Sequence, residues 1–166
     1  MNAVGAGSSY GNRTGFAIAG KYIQIDWAVY PPSSNTVTDQ ISFALVYDKQ
    51  CNAAAPAYAD IFDLTSSGVV VPGLELKSLA IQADRFVIAR RWFSDMTCLT
   101  GSTCGCRGRV FYKIPMALAE CRYSGTAAAV PQTGGWFLAA RALSGAGNGA
   151  SSASLAFMFR FAFLER

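Results

Sequence analysis

Histidine is absent from this chain of 166 residues. Without it, a Ser or Cys nucleophile has no ordinary base, and both the commonest zinc ligand and the main acid–base group near neutral pH are missing. Asp48, Asp60 and Asp63 fit turn capping better than a hydrolytic carboxylate pair. An enzyme on a β-sandwich scaffold usually shows His and carboxylate metal ligands. We therefore predict that the protein is not an enzyme and needs no cofactor.

Charged residues are also scarce. They make up 14% of the chain, whereas hydrophobic residues make up 52%, and an average domain is about one quarter charged. Much of the folded exterior must then be uncharged, which usually marks a subunit interface, so we expect a homo-oligomer. The net charge is +4, from 14 basic and 10 acidic residues without a long basic block. That excess permits an anionic partner without demanding one.

Long apolar runs are missing as well. No stretch approaches the roughly 20 residues that a membrane-spanning helix needs. Residues 1–9 lack the charged start and the apolar centre of a signal peptide. We therefore expect no membrane partner.

The cysteines are few and odd in number: Cys51, Cys98, Cys104, Cys106 and Cys121. An odd count argues against a complete disulfide framework and fits free thiols or a reducing compartment. The spacing of the middle three, C-x5-C-x-C, is not the two-pair spacing of a zinc site. Free thiols are favoured, with a local disulfide as the alternative, and no metal is predicted.

Alternation of apolar and polar residues is the main structural signal, since successive side chains of a strand point to opposite faces of a sheet. Residues 1–15 are predicted to be a flexible arm, followed by one domain over residues 16–166. A short helix is predicted near residues 56–62. The apolar pattern of residues 116–123 fits the period of a helix and that of a strand equally well. With seven or eight strands and no βαβ rhythm, the domain should be an antiparallel β-sandwich or barrel. Six of the predicted strands are residues 21–29, 41–48, 84–93, 110–114, 136–141 and 155–163.

The last of these strands carries the clearest stripe. We expect its larger apolar residues to point between the two sheets, with Ala156, Met158, Arg160 and Ala162 on the opposite face. The inward set is Leu155, Phe157, Phe159, Phe161 and Phe163.

Five segments in order resemble the coat proteins of small circular single-stranded DNA viruses, the geminivirus-like group. Together the resemblance covers about residues 20–166. The segments are an early strand at residues 21–30, residues 43–50 (FALVYDKQ), residues 56–62 (PAYADIF), residues 84–88 (DRFVI), and a closing hairpin at residues 135–143 and 155–164.

The resemblance implies a single eight-stranded antiparallel jelly roll of the viral capsid type. It also implies self-assembly into an icosahedral shell that encloses single-stranded DNA, and location in the virion, with assembly in the host cell nucleus. Members of that group carry a long basic amino-terminal arm, whereas this sequence begins with Gly, Ser and a single Arg13. Either an upstream segment supplies the arm, or the inner face alone holds the genome, or the shell encloses none.

Candidate nucleic-acid contacts are basic residues, because phosphate neutralisation needs cations. The neighbouring aromatic residues Trp92, Phe93, Phe111 and Tyr112 could stack on unpaired bases. The alternative is that the aromatic residues belong to the core and the arginines form ion pairs, and Arg85 in particular is expected to close a turn by a salt bridge. The cations predicted for the inner face are Arg13, Lys21, Arg90, Arg91, Arg107 and Arg109.

Two other functions share the strand pattern. One is a β-sandwich binding module, such as a lectin-like or cytokine-like trimer, which would bind through loops and stop at a small oligomer. The other is the coat protein of a small RNA satellite-type virus.

Overall fold

The chain folds into strands that form two antiparallel sheets. The computed structural model describes residues 14–30, 38–52, 54–61, 84–97, 105–124, 130–144 and 154–165. Within these ranges the elements are β1 (Ala17–Tyr30), β2 (Thr38–Asp48), α1 (Tyr58–Ile61), β3 (Phe86–Thr97), β4 (Cys106–Lys113), a 3-10 turn (Met116–Leu118), β5 (Glu120–Arg122), β6 (Gly135–Ser144) and β7 (Ser154–Glu165).

The first two strands are the centres of the two sheets. In the first sheet β1 pairs with β7 along one edge and with β4 and β5 in succession along the other. In the second sheet β2 lies between β3 and β6. The prediction of an all-β, antiparallel domain is confirmed at this level. No helix in the described ranges is long and apolar enough to cross a membrane.

Most predicted elements appear, with two changes. The strand predicted at 110–114 begins at Cys106, and the segment at 116–123 divides into a 3-10 turn and the short β5. The short helix appears as α1. The arm proposed for residues 1–15 falls almost wholly outside the described residues.

A bulge in β1 changes which residues of that strand face the core. The pairing with β7 shifts between Gly20 and Tyr22, so Lys21 is the extra residue. Ile18 is buried before the bulge, whereas Ile23 and Ile25 are buried after it. A Cβ on Gly20 would lie 2.7 Å from Cδ1 of Ile114, so close packing at the bulge requires glycine.

Aromatic side chains fill the space between the sheets. Phe43 of β2 is fully buried, with its ring centroid 5.0 Å from that of Trp27 in the opposite sheet and 5.2 Å from that of Trp92. Further along, Trp136 of β6 is buried with its ring centroid 5.6 Å from that of Tyr112 in β4. Trp136 belongs to the main core cluster and Phe43 to a smaller one, and Trp27 and Trp92 pack against both. Aromatic pairs at such distances add to the gain from burial.

The prediction for β7 is correct in part. Phe159, Phe161 and Phe163 pack against the main core, and Leu155 packs against a smaller cluster with Val29, Ile41 and Phe43. The prediction that Phe157 is a core residue is wrong, because its side chain is 53% exposed. Within the described residues β7 pairs only with β1, and a strand at a sheet edge is less completely covered than a central one.

The outer face of the second sheet is partly covered by α1. Ile61 of α1 packs with Ala44, Val46 and Phe86 in a third apolar cluster. Beside it the fully buried carboxylate of Asp48 accepts hydrogen bonds from Nε and Nη2 of Arg85, the latter at 2.9 Å. The predicted salt bridge of Arg85 is therefore confirmed.

The described cysteines, Cys51, Cys106 and Cys121, are not disulfide-bonded. Burial raises the pKa of the Cys51 thiol to about 11. Because Cys106 is not disulfide-bonded, it takes no part in the predicted local disulfide. Cys98 and Cys104 lie outside the described residues, so a bond between those two is untested. The described side chains contain no group of three or more potential metal ligands.

Alkaline pH is expected to destabilise the fold through Tyr47. Burial raises the pKa of its phenol to about 12, from an ordinary value of 10.0, and the hydroxyl donates a 3.0 Å hydrogen bond to the carbonyl of Glu120. The unfolded chain therefore loses this proton first, so stability present below pH 10 should fall by on the order of 2 kcal/mol as the pH rises toward 12. Denaturant unfolding between pH 9 and about 12 measures the loss, which should be smaller in Tyr47→Phe; an identical loss in both proteins would contradict the assignment.

Candidate nucleic-acid interface

The outward side of the first sheet combines cations with exposed aromatic rings, and we call it the basic face. Alternation along β4 places Arg107, Arg109, Phe111 and Lys113 outward, while Val110 is buried. The cross-strand register sets the corresponding residues of β1 and β7 beside them. These are Tyr22, Gln24, Asp26, Ala28 and Tyr30 on β1, and Ala156, Met158, Arg160, Ala162 and Leu164 on β7.

On β1, β4 and β7, four cations and one carboxylate leave the basic face with three net positive charges, and the ion pair of Arg122 with Glu120 on β5 adds no net charge. Arg107, Arg109 and Lys113 line one edge along β4, and Arg160 stands across the sheet on β7, opposite Gln24. Nε of Arg160 lies 3.2 Å from Sδ of Met158. Cations on both sides of the central strand suit a polyanionic chain that runs along the sheet, since phosphate contacts depend on charge rather than on sequence.

Aromatic rings lie among these charges. Tyr22 and Phe111 are 40% and 56% exposed, and their ring centroids are 5.0 Å apart in a stacked arrangement. Tyr30, at the other end of the face, is 56% exposed. Exposed ring faces next to arginines are what proteins use to bind unpaired bases without strong sequence preference.

Asp26 is the acidic residue that lies on the basic face among the cations of β4 and β7. Its Oδ1 accepts a short hydrogen bond from Nε of Arg109, and its Oδ2 accepts one of 2.8 Å from Nε2 of Gln24. The hydrogen bond from Arg109, with that from Gln24, holds the pKa of Asp26 below its ordinary value. The carboxylate is therefore ionised at neutral pH and offsets the charge of Arg109, while Arg107 and Lys113 are not opposite a carboxylate in the register of the sheet.

A shallow, open depression of about 670 Å³ lies in the basic face. Ala28 is flanked by Arg107 on β4 and by Ala156 on β7. The small side chains of Ala28 and Ala156 line the depression between larger ones. Asp26 and Arg109 lie at one end, Tyr30 lies at the other, and Met158 lies on the β7 side. The volume is in the range of pockets that hold small organic groups.

The predicted cations do not form one group. Arg107 and Arg109 lie on the basic face, and Lys21 is exposed at the bulge of the same sheet. Arg90 lies on β3 of the second sheet, and its Nη1 donates a 3.1 Å hydrogen bond to the carbonyl of Phe111 on β4. Arg91 is opposite Ala44 on the outer face of the second sheet. Arg13 lies outside the described residues.

Two of the four aromatic residues proposed for base stacking belong to the core. Trp92 stacks on Phe43, and Tyr112 packs against Trp136, so neither offers a free ring face. Phe93 and Phe111 point outward and are 39% and 56% exposed. Strand alternation explains the division, because in each pair one residue must face inward.

The predicted set omits Lys113, Arg160 and Tyr22, which share the face with Arg107 and Arg109. Lys113 could have been found by counting in twos from Arg107 along β4. Arg160 and Tyr22 could not have been placed beside them, because their positions depend on the pairing of strands that lie far apart in the chain.

Neither a protein-family model nor a curated protein matches this chain.

Proposed function

We propose that this chain is a structural capsid protein of a small circular single-stranded DNA virus, which assembles into a closed icosahedral shell with its basic face turned toward the genome. The observation that carries the proposal is the basic face, where cations and exposed aromatic rings occupy one side of one sheet. Such a surface suits phosphates and unpaired bases together.

The strand pairing supports an eight-stranded jelly roll within this proposal. The first strand pairs with the last and the second with the next to last, which is the nested pairing expected when a long hairpin is rolled into two sheets. An eighth strand would have to come from residues outside the described ranges. The direct pairing of β1 with β4 and of β2 with β3 departs from this nested pattern.

Exposed apolar side chains support assembly. Phe16, Met116 and Phe157 are each more than half exposed, in a chain with few charges to keep it soluble. A subunit that buries such residues on several sides must meet several neighbours, and a closed symmetric shell satisfies all those surfaces at once.

Sedimentation and electron microscopy of the purified chain test the shell. We expect closed, uniform particles. Discrete trimers that persist at high protein concentration would contradict the shell and favour the β-sandwich binding module.

Binding to single-stranded DNA tests the basic face, and a pair of charge variants sharpens that test. Arg107→Gln/Lys113→Gln removes two cations of the face, whereas Lys49→Gln/Arg91→Gln removes two exposed cations that lie elsewhere. Both variants carry a net charge of +2, from +4 less two. If both residues contact phosphates, the first variant should reduce the slope of log K against log salt by about 1.4, while the second keeps nearly the wild-type slope.

Equal effects of the two variants would mean that net charge alone drives binding, and the basic face would then not be the site. Tighter binding of single-stranded RNA than of DNA under the same conditions would favour the coat protein of an RNA satellite-type virus. Nuclease protection of DNA inside isolated particles provides a further measurement that does not depend on affinity.

A further inference from the structure

We propose that the depression beside Asp26 is a pocket for a single unpaired base, and that the Asp26 carboxylate makes it prefer guanine. The proposal rests on the proposed function, because it assigns a base preference to the surface that would hold single-stranded nucleic acid. It accounts for a feature that phosphate binding leaves unexplained, namely an ionised carboxylate in the middle of a basic surface.

The shape of the depression suits a planar ring. Its floor consists of the methyl groups of Ala28 and Ala156, which are directly opposite each other on β1 and β7. Tyr30 and Met158, 56% and 52% exposed, offer apolar surface at its borders. A base can pack against such surface because every base has a π face, as in other single-strand binding sites.

The hydrogen-bonding capacity of Asp26 supplies the preference. Each carboxylate oxygen has two acceptor sites, and Arg109 and Gln24 occupy one site on each oxygen. One site on each therefore remains, on a side chain that is 27% exposed and borders the depression. The side chain can thus accept two further hydrogen bonds side by side.

Among the four bases, guanine matches this pair of acceptors. Its Watson–Crick edge carries two adjacent donors, N1–H and the N2 amino group, and an unpaired base exposes that edge. Cytosine and adenine each present one amino group beside an acceptor nitrogen, and thymine presents one N–H between two carbonyl oxygens that the carboxylate would repel. Arg107, at the side of Ala28 away from β7, is placed to contact the adjoining phosphate.

Fluorescence anisotropy with oligothymidylates of about 12 nucleotides tests the preference. Four probes are identical except for one central nucleotide, which is dT, dA, dC or dG. Wild-type protein should bind the dG probe at least about fivefold more tightly than the dT probe, in line with the discrimination that a two-bond base contact gives. The single central dG avoids the self-association of guanine runs.

Asp26→Asn is the informative variant, because it keeps the size of the side chain but replaces one acceptor oxygen by a donor. The dG preference should fall below twofold, while affinity for the dT probe stays equal or rises, since a negative charge has been removed. Met158→Ala should weaken the dG complex without reversing the order of the bases. Unfolding midpoints of both variants, measured in parallel, show that the folded state is kept.

The outcomes separate the base pocket from the proposed function. If all four probes bind equally to the wild type, the pocket is overturned and the basic face stands. If Asp26→Asn weakens all four probes by the same factor, Asp26 only orients Arg109, and the pocket is again overturned. If none of the probes binds at low salt, the basic face does not bind nucleic acid, and both the proposed function of this face and the base pocket are refuted.

Discussion

Phe43→Ala is expected to lower the free energy of unfolding of the soluble subunit by about 3–5 kcal/mol. Phe43 is fully buried at the centre of β2, and its ring lies 5.0 Å from Trp27 and 5.2 Å from Trp92, centroid to centroid. Truncation loses the transfer free energy of the ring and leaves a cavity between two large indoles that cannot collapse into it without moving both sheets. Denaturant unfolding of the wild type and the variant, with the same m-value for both, measures this change in the free energy of unfolding.

Phe93→Ala is the matched control for this substitution. Phe93 lies on the same sheet, one residue along β3 from Trp92, but points outward and is 39% exposed. Its truncation should cost about 1 kcal/mol or less, because water already covers part of the ring. Similar losses for the two variants would mean that the space between the sheets is not the main core.

The second large effect is expected from Arg85→Met. This substitution keeps an apolar stem of similar length but leaves the carboxylate of Asp48, which is fully buried, without its cation. A buried charge that loses its partner costs about 3–5 kcal/mol, and partial exposure of Arg85 favours the lower end, about 3 kcal/mol. The loss of the contact between the guanidinium and the Phe86 ring, 4.6 Å from its centroid, adds to it.

The double variant Asp48→Asn/Arg85→Met separates charge from packing. It leaves no buried charge, and the amide oxygen can still accept from the backbone N–H of Gln50, which lies 3.0 Å from Oδ1 of Asp48. We therefore expect the double variant to be more stable than Arg85→Met alone, a coupling that a double-mutant cycle measures directly. A double variant that is less stable than the single one would show that Arg85 contributes chiefly by packing.

Period-two alternation was sufficient to predict where most strands lie and which way their side chains point. The side-chain directions of Ile41, Phe43, Leu45 and Tyr47 follow directly from it, as does the outward direction of Arg107 and Arg109. Their burial does not, because Ser42, Ala44, Val46 and Asp48 on the opposite face of β2 are buried as well. The alternation is local, because each strand residue must point opposite to its neighbour whatever lies beside it. A salt bridge of Arg85 was also predicted, but its partner Asp48 is 37 residues away in the chain and follows from the pairing of β2 with β3 rather than from the turn at Asp84.

The sequence did not predict where alternation fails. The bulge at Lys21 reverses the phase of β1 between Ile18 and Ile23. Gly20 beside it is the residue type that often marks a bulge, but a lone glycine can equally mark a bend or a close backbone approach. Phe157 has the right phase for the core, yet its side chain is 53% exposed. Burial depends on what covers a strand, and the order of residues within the strand does not record that.

The sequence by itself thus determined an all-β chain with alternating faces, few charges and no histidine chemistry. Only the tertiary structure decided which strands are neighbours, and with that the composition of the basic face. In the structure Arg160 of β7 and Arg109 of β4 lie on either side of β1, and Ala28 is paired with Ala156. Arg90 donates a hydrogen bond to the carbonyl of Phe111. The physical reason is that the direction of a side chain follows from the geometry of its own strand, whereas its neighbours follow from the pairing of strands distant in the chain.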